Sequence, residues 1–125
     1  MAPALSLYLD YTTPMAYSAL MFIFIESTVF QRELPNYLDD DEYAALQQYL
    51  INHPEAGDLI PGAGGVRKLR WKRKGMGKRS GVRVIYYVRF HPAEFWMLNI
   101  YAKSRQENIP AHIVKALKER FENET

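Results

Sequence analysis

The chain has 125 residues, 48% of them hydrophobic and 24% charged, the size and composition of a single globular domain. It contains no cysteine, which excludes a disulfide framework and a thiolate metal centre; His53, His91 and His112 lack metal-ligand spacing, so no metal and no other cofactor is expected. The net charge of +2 hides a segregation: Arg67 to Arg83 holds nine of the sixteen Lys and Arg residues and none of the fourteen acids, leaving −7 on the remainder. A strip of that kind calls for a polyanionic partner.

In chain order, residues 1–20 carry one charged residue, Asp10, and two prolines, with neither the basic start of a secretory signal nor a long apolar run. They read as an N-terminal extension, disordered or an upstream read-in, with Met21 as the natural start and 21–125 as the domain. Phe22 to Glu26 is apolar and aromatic, as a buried strand is. Ser27 or Thr28 can cap a short helix that Pro35 ends or turns. Asp39 to Glu42 put acids at the start of a second helix, where its dipole favours them. Tyr43, Leu46, Leu50 and Ile51 form its core-seeking stripe, and Pro54 stops it. Glu55 to Gly65 holds four glycines and a proline, a loop or extended connector.

Period two then takes over. Lys68, Arg70 and Lys72 alternate with Arg67, Leu69 and Trp71, and glycines break the following loop. In the next strand Val82, Val84, Tyr86, Val88 and Phe90 face one side, with Arg83, Ile85, Tyr87 and Arg89 on the other. After a turn at His91-Pro92-Ala93, Phe95 to Lys103 reads as a strand with Trp96, Leu98, Ile100 and Ala102 on its apolar face and Asn99, Tyr101 and Lys103 opposite. Pro110 opens a last helix with the stripe Ile113, Ala116, Leu117 and Phe121. Trp71, Tyr86 and Trp96 are expected in the core, and the histidines in turns or at the surface. The predicted class is α+β: a small twisted, mainly antiparallel sheet with helices packed on one face and the basic strip on the other.

The residues FIEST, DDDEYAALQQYLINHPEAGDLIPGAGGVRKLRW, GKRSGVRVIYYV and IYAKSRQENI resemble the RelE/HigB family of toxins of type II toxin–antitoxin systems, and within it the HigB-type branch. The resemblance spans about Phe22 to Glu122. It implies a RelE-like fold in a small cytoplasmic protein that enters the A site of the 70S ribosome and cuts translated mRNA, touching ribosomal RNA, without a metal. It implies as partner a cognate antitoxin, a helix-turn-helix HigA-like protein. Operator DNA is then reached only through the antitoxin complex, and no membrane is involved.

Metal-free RNA cleavage by the neighbouring 2′-OH needs a base, charge stabilisation at the phosphoryl oxygens and an acid for the 5′ oxygen. The chain offers no histidine pair for this but many lysines and arginines; crowding lowers a lysine pKa, and arginine presents a planar fork to phosphate. By the resemblance, Lys68 and Arg70 match the basic pair at alternate strand positions, Arg83 the arginine at the scissile phosphate, and Lys103 a base at the end of the last strand. Tyr101 can stack on a base or relay a proton. Lys72, Arg73, Lys74, Lys78 and Arg79 are assigned to gripping ribosomal RNA. Two departures stand out: Ser104 replaces an arginine that follows the lysine in well-known members, and no tyrosine lies near the start of the last helix. The general base and acid stay open among Lys68, Lys103 and Tyr101. A second reading is a catalytically weak or inactive RNA- or protein-binding module acting through its antitoxin complex. Convergence of Lys68, Arg70, Arg83 and Lys103 on one concave site favours the enzyme; a flat spread favours binding alone.

Overall fold

The computed structural model describes residues 22–72, 81–90, 93–103 and 108–124. The N-terminal extension, the turn at His91-Pro92, Ser104, and the basic residues Arg73, Lys74, Lys78 and Arg79 lie outside the described residues. Strand β1 (Ile23–Glu26) leads into helix α1 (Thr28–Glu33), a 3-10 turn at Leu34–Asn36 and helix α2 (Asp40–Asn52). Strands β2 (Asp58–Leu59), β3 (Arg67–Trp71), β4 (Val82–Phe90) and β5 (Ala93–Ala102) follow, and helix α3 (Ala111–Glu124) closes the chain. The sheet order is β1-β5-β4-β3-β2, with β1 parallel to β5 and every other pair antiparallel. This is the α+β class expected from the sequence. The glycine-rich connector contributes β2, which pairs Asp58 with Lys68 and Leu59 with Arg67.

The local reasons are those visible in the residues. Asp39 caps α2 by accepting from the Glu42 N–H at 2.7 Å, while Glu42 accepts from the Asp39 N–H at 2.9 Å, a reciprocal capping box. Leu46 and Leu50 are fully buried from that helix, each contributing about 1.5–3 kcal/mol. They pack with Phe30, Leu69, Val84, Tyr86, Phe95 and Ile100. Gly57 has φ +85°, and a Cβ there would stand 2.5 Å from the Lys68 carbonyl oxygen, so only glycine lets the connector lie against β3. Tyr86 Oη donates to the Ala56 carbonyl at 2.7 Å and Arg67 Nη1 to the Glu55 carbonyl at 2.8 Å, pinning the same connector.

The helices do not all lie on one face. Helices α1 and α2 cover the side of Leu69, Val84 and Tyr86, whereas α3 covers the side of Ile85, Tyr87, Trp96 and Leu98. Of the strip's described residues, Lys68, Arg70 and Arg83 lie opposite α1 and α2, as the alternation implied, but share their face with α3, whereas Arg67 is on the α1–α2 side. The stripe of α3 also differs: Val114 and Phe121 are buried and Leu117 packs beside them, while Ile113 is 42% exposed and Ala116 is exposed. Val114 rather than Ile113 meets the sheet, one position on from the expected register.

The largest departure is in β5. Ile85 pairs with Asn99 but Tyr86 pairs with Met97, so Leu98 has no partner across the ladder. This β-bulge resets the alternation. Trp96 and Leu98 lie on the α3 side while Ile100 joins Phe95 and Met97 in the α1–α2 core, so the four residues expected on one apolar face are divided. Ser27 holds the bulge. Its N–H donates to the Met97 carbonyl at 3.0 Å, and its hydroxyl donates to the Leu98 carbonyl at 2.7 Å while accepting from the Phe30 N–H as the α1 cap. Replacing Ser27 with Ala removes a cap and leaves a bulge carbonyl unpaired, so a loss of about 2 kcal/mol is expected in a denaturant melt. Thr28→Ala, at an exposed position, should stay within about 0.5 kcal/mol.

Helix α3 is tied to the sheet by Glu122, whose Oε2 accepts from Tyr87 Oη at 2.8 Å and lies 2.9 Å from Arg89 and 3.3 Å from Lys118. Burial alone would raise its pKa; these three partners outweigh burial and hold it below the ordinary value of 4.5. With the folded pKa below the unfolded one, the stabilisation is present above the ordinary value of 4.5 and is lost as pH falls through the folded value. Glu122→Gln should therefore cost about 1 kcal/mol near neutrality, and the gap to wild type should close in melts run at successively lower pH. A gap that stays constant with pH would rule out the carboxylate as its source.

Candidate functional site

Cross-strand register sets two rows of side chains on the α3 face. One row runs Asp58, Lys68, Ile85; the next runs Arg70, Arg83, Tyr101. Partners in register share a face, and Ile85 and Tyr101 identify that face as the α3 side. Lys103 follows Ala102 just past the end of β5. Helix α3 starts at Ala111.

A hollow of about 290 Å³ is lined by Asp58, Lys68, Arg70, Arg83, Lys103 and Asn108. Four of the five sequence-identified residues of the proposed site thus converge on one concavity. Lys68 Nζ donates to Asn108 Oδ1 at 2.7 Å. Among the described residues, Arg70, Arg83 and Lys103 form no ion pair within 4.0 Å, and Asp58, the single carboxylate of the hollow, pairs with none of them. Four cations against one acid give the hollow a net positive charge, which attracts anions.

Tyr101 does not line this hollow. It is 5% exposed, and among the described residues its buried hydroxyl has no hydrogen-bond partner. Burial raises its pKa and the nearby Arg83 charge pulls it back in part. Lys72 is exposed immediately beyond β3 and is not among the lining residues. Arg73, Lys74, Lys78 and Arg79 fall outside the described residues. Trp71 packs beside the core against Tyr49, and Tyr86 and Trp96 are buried.

Two lining residues were missed from sequence. Asp58 enters because β2 pairs with β3, and a two-residue strand inside a glycine-rich connector leaves no periodic signal. Asn108 sits in the ENIP stretch before α3, where nothing in the spacing points to Lys68, forty positions earlier. Among the described residues, no group of three or more His, Asp or Glu side chains is placed to hold a metal ion, and no helix is long and apolar enough to cross a membrane.

No protein-family model matches the chain. In backbone structure it is similar to the toxin RelE of E. coli, solved as a mutant in the free state: TM-score 0.53 and 12% identity, over 78% of this chain and 97% of that one. At that identity the likeness shows the fold, which is RelE-like.

An unpaired buried hydroxyl costs about 1–3 kcal/mol. Tyr101→Phe, which keeps the ring and deletes only that group, should raise stability by about 1 kcal/mol in a denaturant melt. A loss of stability would mean that the hydroxyl is satisfied in solution.

Proposed function

We propose that the chain is the toxin of a type II toxin–antitoxin system of the HigB-type branch, a ribosome-dependent, metal-independent endoribonuclease that cuts translated mRNA. The observation that carries this reading is the convergence of Lys68, Arg70, Arg83 and Lys103 on one hollow without internal ion pairs. The RelE-like fold agrees with it.

In this reading the scissile phosphate sits in the hollow, and the guanidinium forks of Arg70 and Arg83 take its non-bridging oxygens, where charge builds up as phosphorus becomes five-coordinate. The 2′-oxygen forms a bond to phosphorus as the bond to the 5′-oxygen breaks, giving a 2′,3′-cyclic phosphate and a 5′-hydroxyl. Asp58 is an acceptor for the 2′ proton, and the ammonium groups of Lys68 and Lys103 are donors for the leaving 5′ oxygen. Asn108, a neutral acceptor, orients Lys68 without cancelling its charge. Lys72, Arg73, Lys74, Lys78 and Arg79 grip ribosomal RNA. A cognate helix-turn-helix antitoxin neutralises the toxin, and the complex carries the pair to operator DNA. The setting is the bacterial cytoplasm.

The test is induced expression of wild type beside Arg83→Ala, with mapping of mRNA 5′ ends. Growth arrest with in-frame cuts is expected from wild type, and cutting weaker by about 10²-fold or more from the variant. Absence of both from folded wild type would favour a binding module that acts through its antitoxin complex.

A further inference from the structure

The α1–α2 side of the sheet carries an open hollow of about 440 Å³, lined by Tyr49 and His53 at the end of α2, by the stretch Pro54 to Gly57 and by Phe90 at the end of β4. Tyr49 and Phe90, 38% and 47% exposed, are the two Phe, Tyr or Trp side chains that stay exposed among the described residues. The Tyr49 ring lies 4.6 Å from that of His53 and 5.3 Å from that of Trp71, centre to centre. Trp71 is followed at once by the exposed Lys72, where the basic stretch of the sequence continues. A row of rings thus joins the hollow to the basic strip.

The wall of the hollow is fixed by the fold itself. Tyr86 Oη donates to the carbonyls of Pro54 and Ala56 at 3.1 and 2.7 Å, and Arg67 Nη1 to those of Glu55 and Gly57 at 2.8 and 3.3 Å. All four carbonyls of that stretch are engaged. A ligand therefore meets the rings and the exposed Glu55, whose carboxylate forms no ion pair within 4.0 Å among the described residues. Exposed rings continuous with a basic segment have the make-up of a platform for unpaired RNA, since every base has a π face and every nucleotide a phosphate. The carboxylate disfavours a bare anion and calls for N–H donors. Guanine carries N1–H and N2–H side by side on its pairing edge, and two carboxylate oxygens accept both. We propose that this hollow is a stacking site for an unpaired guanine of ribosomal RNA. The inference rests on the RNA-cleaving function proposed above, in which the messenger occupies the cationic hollow on the opposite, α3 side; the RNA that meets the α1–α2 side is then the ribosome's. Tyr49 and Phe90 supply ring surface, Glu55 selects the base and Lys72 meets the backbone.

The site is tested without relying on cleavage. Isotope-labelled full-length protein is titrated with the 2′-O-methyl hexanucleotides UUGUUU, UUAUUU and UUUUUU, which lack the attacking hydroxyl, and followed by NMR. The guanine oligonucleotide should bind about threefold or more tightly than the other two and shift the backbone signals of Tyr49, His53, Ala56 and Phe90. Tyr49→Leu and Phe90→Leu, both at exposed positions, should each weaken it about fivefold. Glu55→Gln should bring the guanine and adenine oligonucleotides to within about 1.5-fold of each other. Equal binding of all three, with shifts confined to Arg70, Arg83 and Lys103, would overturn the stacking site and leave the cationic site standing. A guanine preference that survives in all three variants would place base recognition elsewhere and overturn it as well. Binding of none of the three would overturn it and also remove the RNA binding on which the proposed function rests.

Discussion

One unpaired residue in β5 decides which face the end of that strand presents, and so whether Lys103 can join the cations of β3 and β4. With strict alternation from Met97, Tyr101 would face the α1–α2 core; with Leu98 bulged out, it stands beside Arg83 on the α3 side. A one-residue offset exchanges every later side chain between faces, so Lys103 depends on the same offset. The bulge is secured from outside the hairpin. Ser27, at the junction of β1 and α1, satisfies the carbonyls of Met97 and Leu98, and Asn99 Oδ1 accepts from the Ile100 N–H at 2.8 Å. The edge strand and first helix therefore help to set the geometry of the cationic hollow without contributing a lining residue to it.

The same chain treats its cations in two ways. Arg89 and Lys118 converge on Glu122 and also lie over the rings of Trp96 and Tyr87, at 4.9 and 4.8 Å. Arg67 turns to the carbonyls of Glu55 and Gly57. These are structural cations, matched by protein partners. One or three positions along β3 from Arg67, Lys68 has only a neutral amide and Arg70 has no ion pair. Like charges held close without counter-charges destabilise a fold, and a protein retains such a cluster most readily where an external anion completes it.

Much of the fold was legible because its signals are local. The capping pattern at Asp39, the stripe of Leu46 and Leu50, and the alternation in Val82 to Phe90 each reflect interactions within a few residues. Lys68, Arg70, Arg83 and Lys103 were named together through the resemblance to the RelE/HigB family, and strand alternation by itself put only Lys68 and Arg70 on one face. What escaped was set by partners distant in sequence. The bulge depends on Ser27 and the position of Asp58 on β2 pairing. Asn108 is visible only through Lys68, and the register of α3 depends on which residue meets Ile85 and Tyr101. The unsatisfied state of the Tyr101 hydroxyl likewise has no trace in a string of letters.

The parallel pairing of β1 with β5 also dictates an order of assembly. Ser27 reaches its carbonyl partner on Leu98 across 71 positions, and among the described residues β1 pairs with no strand but β5. During vectorial synthesis the first strand emerges long before its neighbour exists, and loop closure over that span is slow compared with forming the β4–β5 hairpin. The cationic hollow draws on residues from Asp58 to Asn108, so it too is incomplete until most of the chain has left the exit tunnel. An interrupted polypeptide ending before β5 has neither a closed sheet edge nor a complete cleft, and whatever the cleft does is confined to the finished molecule.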